Sequence, residues 1–74
     1  MSKLTPVSHR IVFKVLKKLG FEKVRQKGGH SVWAHEDGRI TVVPIHGKEN
    51  IGKGLLSKIL DDVEIDVDEF NKLR

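Results

Sequence analysis

Two glycine-bearing turn signals, Gly28-Gly29 and Asp37-Gly38, bracket the seven residues from His30 to Glu36, and no other feature constrains this chain as tightly. Adjacent glycines accept positive φ and close a tight reversal. An Asp-Gly pair does the same, since both positions tolerate a type I′ turn. The flanking runs alternate with period two. In Phe21–Lys27 the apolar residue is Val24, and Lys23, Arg25 and Lys27 share the opposite face. Ser31–Glu36 forms the second run. Arg39–Ile45 forms the third, β-branched through Ile40-Thr41-Val42-Val43 and stopped at Pro44, which has no N–H to give a ladder. Three antiparallel strands are therefore predicted.

If both turns hold two residues, the register follows. Glu36 faces Arg39, Trp33 faces Val42, and Val24 faces Trp33 from the other side. One face then carries Val24, Trp33, Ile40 and Val42 and is expected against the helices. The other carries Lys23, Arg25, Lys27, His30, Val32, Ala34, Arg39, Thr41 and Val43. A slip of one residue would exchange these sets.

Helices are predicted on both sides of the strands. Thr5-Pro6 has the chemistry of a helix start, and Val7, Ile11, Val12, Val15, Leu16 and Leu19 follow at helical spacing. Gly20, with Phe21 packing back on Leu16, reads as a Schellman stop. His9, in the first turn, reads as surface. After the polar loop Gly47-Lys48-Glu49-Asn50, a second helix opens at Gly52-Lys53-Gly54 with Leu55, Leu56, Ile59 and Leu60 as its apolar face. Its glycines do not make a P-loop, because no Gly-Lys-Ser/Thr follows. Asp66 to Glu69 has capping-box spacing before a short last helix anchored by Phe70, and the acidic run from Asp61 reads as solvated linker and cap.

At 74 residues the chain is expected to form one small domain, 1–74, of α+β class. It has no cysteine, hence no disulfide framework or thiolate metal site, and no apolar run near the roughly 20 residues that span a membrane. The first residues lack the pattern of a secretory leader, so a cytoplasmic location is expected. Charge is unevenly placed. Met1 to Leu60 holds 12 Lys and Arg against 4 Asp and Glu, whereas Asp61 to Arg74 holds 2 against 6. A basic body of that kind suits a phosphate-rich partner, nucleic acid above all.

The chemistry-bearing stretch is Lys27-Gly28-Gly29-His30. Its turn leaves the imidazole at the mouth of a strand with little bulk around it, and histidine exchanges a proton near neutral pH. Glycine pairs also close ordinary hairpins, and histidines of small domains are mostly surface residues, so spacing alone favours the surface reading. No carboxylate cluster suggests a two-metal site, and neither metal nor other cofactor is expected.

The order of motifs resembles the HicA family of small toxins from prokaryotic toxin–antitoxin pairs, also described as YcfA-like. The resemblance covers most of the chain: Leu19-Gly20-Phe21, Gly28-Gly29-His30, Trp33, His35 before Asp37-Gly38-Arg39, Val42-Val43-Pro44, His46, Gly54-Leu55-Leu56 and Ile59-Leu60. It implies an α-β-β-β-α fold like that of double-stranded-RNA-binding domains, with helices on one face of a three-stranded antiparallel sheet and here a short C-terminal helical extension. It also implies a metal-independent ribonuclease acting on messenger RNA. His30 would be the catalytic acid or base, and Lys23, Arg25, Lys27, Gly28 and Gly29 would form the RNA-binding surface. A HicB-type antitoxin would be the protein partner. Many relatives have a second histidine where this chain has Ser31, so His46 or Lys27 becomes the candidate for the second acid or base. A non-catalytic RNA-binding module and a protein-interaction module are the other classes this sequence admits.

Overall fold

The computed structural model describes residues 3–45 and 50–74. Its order is α1 (His9–Lys18), β1 (Glu22–Lys27), β2 (His30–Ala34), β3 (Ile40–Pro44), α2 (Lys53–Val63) and α3 (Val67–Leu73). The strands form one antiparallel sheet in the order β1-β2-β3, and the helices cover one face of it. Val12, Val15 and Leu16 of α1, Leu56, Ile59, Leu60 and Val63 of α2, and Phe70 of α3 bury against Trp33 and Val43. No helix among the described residues is long and apolar enough to cross a membrane.

The first helix starts later than its sequence suggests. Ser8, not Thr5, is the N-cap residue, and Val7 instead pairs its backbone with Ile51, N to O in both directions at 3.2 and 2.6 Å. That bridge holds Val7 extended, and the helical turn waits until His9. The end is as predicted. Gly20 takes φ +94°, its N–H bonds to the Lys17 carbonyl at 3.1 Å, and the Phe21 N–H bonds to the Leu16 carbonyl at 2.9 Å, the paired bonds of a Schellman stop.

The sheet register departs from expectation at two places. Lys27↔His30, Gln26↔Ser31 and Arg25↔Val32 pair as a two-residue Gly28-Gly29 loop demands, with Gly28 at φ +58°. A β-bulge then inserts Val24, so Lys23 rather than Val24 faces Trp33. The second turn holds three residues instead of two. The Gly38 N–H bonds to the His35 carbonyl at 3.0 Å, the His35 N–H bonds to the Arg39 carbonyl at 2.9 Å, and only Gly38 (φ +100°) takes positive φ. Asp37 uses its side chain instead, accepting from the Arg39 N–H at 3.0 Å and the guanidinium at 2.8 Å. The added residue slips β3 by one, so Trp33 faces Thr41 and Ala34 faces Ile40.

The slip exchanges the faces of β3. Thr41 and Val43 point inward and are buried, whereas Ile40 and Val42, expected in the core, are 56% and 44% exposed. Val24, also expected inside, is 59% exposed at the bulge. Trp33 is buried as predicted.

The helix ends carry a further contrast. Asp61 and Asp62 form part of the last turn of α2 rather than a linker, and Asp62 accepts from the Thr41 hydroxyl at 3.0 Å. The helix closes with the same bond pair as α1, Glu64 N–H to the Asp61 carbonyl and Ile65 N–H to the Leu60 carbonyl. Here the left-handed residue is Glu64 (φ 62°, ψ 42°). Asp66 caps α3 through the Glu69 N–H at 2.8 Å, as the capping spacing predicted.

A non-glycine residue in that conformation costs about 1 kcal/mol relative to glycine, partly offset by the greater chain entropy of glycine when unfolded. Glu64→Gly is therefore expected to stabilise the fold by roughly 0.5 kcal/mol and to raise the melting temperature by a few degrees in calorimetry. A lower melting temperature would contradict the left-handed close of α2.

Candidate active site

Cross-strand partners share a face, so the register sorts the side chains into two sets. The open face carries Lys27 and His30 in one row, which ends at the buried Pro44, Arg25, Val32 and Val42 in the next, and Glu22, Ala34 and Ile40 in the third. The helix-covered face carries Gln26, Ser31 and Val43, then Lys23, Trp33 and Thr41. His30 thus stands exposed at the end of β2, directly behind the Gly28-Gly29 loop, with Lys27 as its neighbour on β1 and Pro44 on β3.

Of the residues singled out in the sequence, the fold brings together His30, Lys27, Arg25 and the two turn glycines. Lys23 separates from them. The bulge turns it to the other face, where its ammonium donates to Gln26 Oε1 at 2.8 Å and lies 6.0 Å from the centre of the Phe13 ring. Arg39 also leaves the open row. Its guanidinium pairs with Asp37, donates to the Val63 carbonyl at 2.5 Å and covers the Phe21 ring at 5.1 Å, tying the β2–β3 turn to the end of α2. The Arg39 N–H and guanidinium on Asp37 hold its carboxyl below the usual carboxylate range. His46 lies outside the described residues.

Ser31 has a structural task. Its fully buried hydroxyl donates to the Val43 carbonyl at 2.8 Å and accepts from the Trp33 indole N–H at 3.0 Å. A side chain at position 31 faces the core, away from the face that carries His30. The missing second histidine therefore removes nothing from the open face. His35 is likewise structural: its Nδ1 accepts from the Asp37 N–H at 3.1 Å, and its ring meets Phe21 edge-on. Close packing explains the glycine at position 20 as well, since a Cβ there would come within 3.0 Å of His35 Nε2.

The open face is also apolar. Val24, Val32, Ile40 and Val42 lie exposed or half-exposed around the basic row, an arrangement that marks an interaction surface. The expected open face included Thr41 and Val43; the register places both in the core and turns Ile40 and Val42 outside. Sequence reasoning missed Ile40 and Val42 because it closed the second turn one residue short.

The family model described as HicA toxin of bacterial toxin-antitoxin matches residues 9–65, most of the chain. The chain belongs to the HicA toxin family. Such a toxin acts within a toxin–antitoxin pair, so an antitoxin partner is implied. The matched span runs from the first residue of α1 to just past α2 and contains the whole sheet with His30. Comparison with curated proteins gives no match.

The buried hydroxyl of Ser31 serves two partners at once. Ser31→Ala should leave the Trp33 N–H unpaired in the core and destabilise the protein by about 1–3 kcal/mol in urea unfolding. A change within about 0.3 kcal/mol would show that the indole finds another acceptor.

Proposed function

We propose that this toxin is a ribonuclease that cleaves messenger RNA in the cytoplasm, with His30 as acid or base. The observation that carries the reading is the placement of an exposed imidazole behind a bulk-free glycine turn, in register with Lys27 and next to the Arg25 row. RNA contains its own nucleophile. A base takes the proton of the 2′-hydroxyl, the oxygen attacks the adjacent phosphorus, and the 5′-oxygen leaves with a proton from an acid, giving a 2′,3′-cyclic phosphate and a 5′-hydroxyl. His30 supplies one of these proton transfers. Lys27, its cross-strand neighbour, is positioned to balance the charge gathering on the phosphorane oxygens or to serve as the second group, and Arg25 holds the next phosphate. Gly28 and Gly29 let the backbone of the substrate approach. The scheme uses side chains and RNA alone, and among the described residues no three His, Asp or Glu side chains are grouped to hold a metal ion.

His30→Ala should abolish both growth arrest on expression and the cyclic-phosphate product on RNA in vitro. Because the side chain is exposed, unfolding free energy should move by no more than about 0.5 kcal/mol. Cleavage that survives the change, in a protein that still folds, would remove His30 from the chemistry.

We further infer that a HicB-type antitoxin silences the toxin by covering this same face. Val32, Ile40 and Val42 offer apolar contact, and Arg25 and Lys27 offer charge to steer an acidic partner. Val42→Glu, at a position 44% exposed, should weaken the complex tenfold or more in calorimetric titration while the toxin stays folded. Unchanged affinity would move the antitoxin to another surface.

A further inference from the structure

The bulge at Val24 divides the cations of β1 between two faces, and the inward one does not stand alone. Lys23 leans over Phe13 of α1, beside Lys17, and Lys17 lies one helical turn from Lys14 and two from Arg10. Two adjoining hollows record this surface. One is lined by Phe13, Lys17, Phe21, Glu22, Lys23 and Trp33, and the other by Arg10, Phe13 and the three lysines of α1. Glu22 is the one acidic residue in either lining. Phe13, only partly buried, is held in place from beneath by Trp33, ring centres 4.8 Å apart, and from the side by His9 at 5.2 Å. A fixed aromatic ring within a basic groove is the arrangement that binds single-stranded nucleic acid, the cations following the backbone and the ring taking a base.

We propose that the RNA strand bound at His30 continues across the edge strand β1 and lies along α1, with a base stacked on Phe13 and phosphates held by Lys23, Lys17, Lys14 and Arg10. β1 is the route because it is the sheet's edge, with all six residues exposed. From Lys27 to Lys23 the strand covers about 13 Å, and from Arg10 to Lys17 the helix covers about 10 Å, so the path suits an oligonucleotide rather than one nucleotide. This surface lies off the open face, on the other side of the strand from His30. It therefore binds and orients, and it takes no part in bond cleavage. The inference rests on the ribonuclease reading, and its test separates the two.

The full chain carrying His30→Ala would be titrated against a labelled oligouridine of about 12 nucleotides at several salt concentrations, with affinity read by fluorescence anisotropy. Lys14 and Lys17 are exposed, so replacing both by alanine leaves the core untouched. The double variant should bind at least tenfold more weakly at low salt, and its log–log salt slope should flatten by about 1.4, two contacts at roughly 0.7 each. Phe13→Leu, which keeps an apolar contact on Trp33, should weaken binding about tenfold with the salt slope unchanged. Arg25→Ala with Lys27→Ala should flatten the slope as well, and one oligonucleotide should bind per protein. If only the Arg25 and Lys27 pair matters, the α1 path is wrong and the ribonuclease reading stands. Two oligonucleotides per protein would also overturn the single path. If the α1 variants weaken the antitoxin complex but not RNA binding, the surface belongs to the protein partner and the proposal fails. If the parent binds no RNA, both readings fail together.

Discussion

The buried indole of Trp33 governs the arrangement of the sheet. Its N–H has to find an acceptor in the core, and it finds Ser31 Oγ two residues back on the same strand, which donates in turn to the Val43 carbonyl of β3. An unpaired indole N–H buried at that depth would cost a large fraction of the few kcal/mol by which a domain this small is stable. The pair of bonds fixes which face of β2 turns inward and joins it to the neighbouring strand. With Ser31 and Trp33 inside, the alternation of the strand leaves His30, Val32 and Ala34 outside. The exposure of the candidate catalytic group follows from the burial of its neighbours.

Much of this was legible in the sequence. The order of elements, the Schellman stop at Gly20, the Asp66 cap, the burial of Trp33 and the two-residue loop at Gly28-Gly29 all rest on short-range chemistry, and short-range chemistry is written in adjacent residues. What was not legible was the length of the second turn. Asp37-Gly38 fits a two-residue loop if the aspartate takes positive φ, yet Asp37 earns its place through its carboxylate, which bonds the Arg39 N–H and guanidinium. The guanidinium is anchored far along the chain, at the Val63 carbonyl, and no local pattern announces that contact. One residue of difference exchanged Thr41 and Val43 for Ile40 and Val42. The bulge at Val24 was hidden for a similar reason, since an inserted residue leaves the alternation of Lys23, Arg25 and Lys27 looking regular. His30, Lys27 and Arg25 stay on one face because they pair through the Gly28-Gly29 turn, short of the bulge, and the slip of β3 does not move them, whereas Lys23, beyond the bulge, leaves the group.

The two irregularities also shape the surface. The three-residue turn brings Ile40 and Val42 out beside the basic row, so the face that holds His30 is apolar as well as basic. In the proposed reading that one surface takes either RNA or the antitoxin, and occupancy by one excludes the other. The bulge sends Lys23 to the opposite side, where it joins the cations of α1 around Phe13. The same edge strand thereby borders both regions.

The surface around His30 depends on the register of β2 against β3, and that register is directly measurable. In a nuclear Overhauser spectrum of the full chain, the backbone of Trp33 should show cross-strand contacts to Thr41, and Ala34 to Ile40, with the indole ring near Val43 rather than Val42. Contacts pairing Trp33 with Val42 and Glu36 with Arg39 would restore the two-residue turn. Ile40 and Val42 would then return to the core, and the surface described around His30 would not exist.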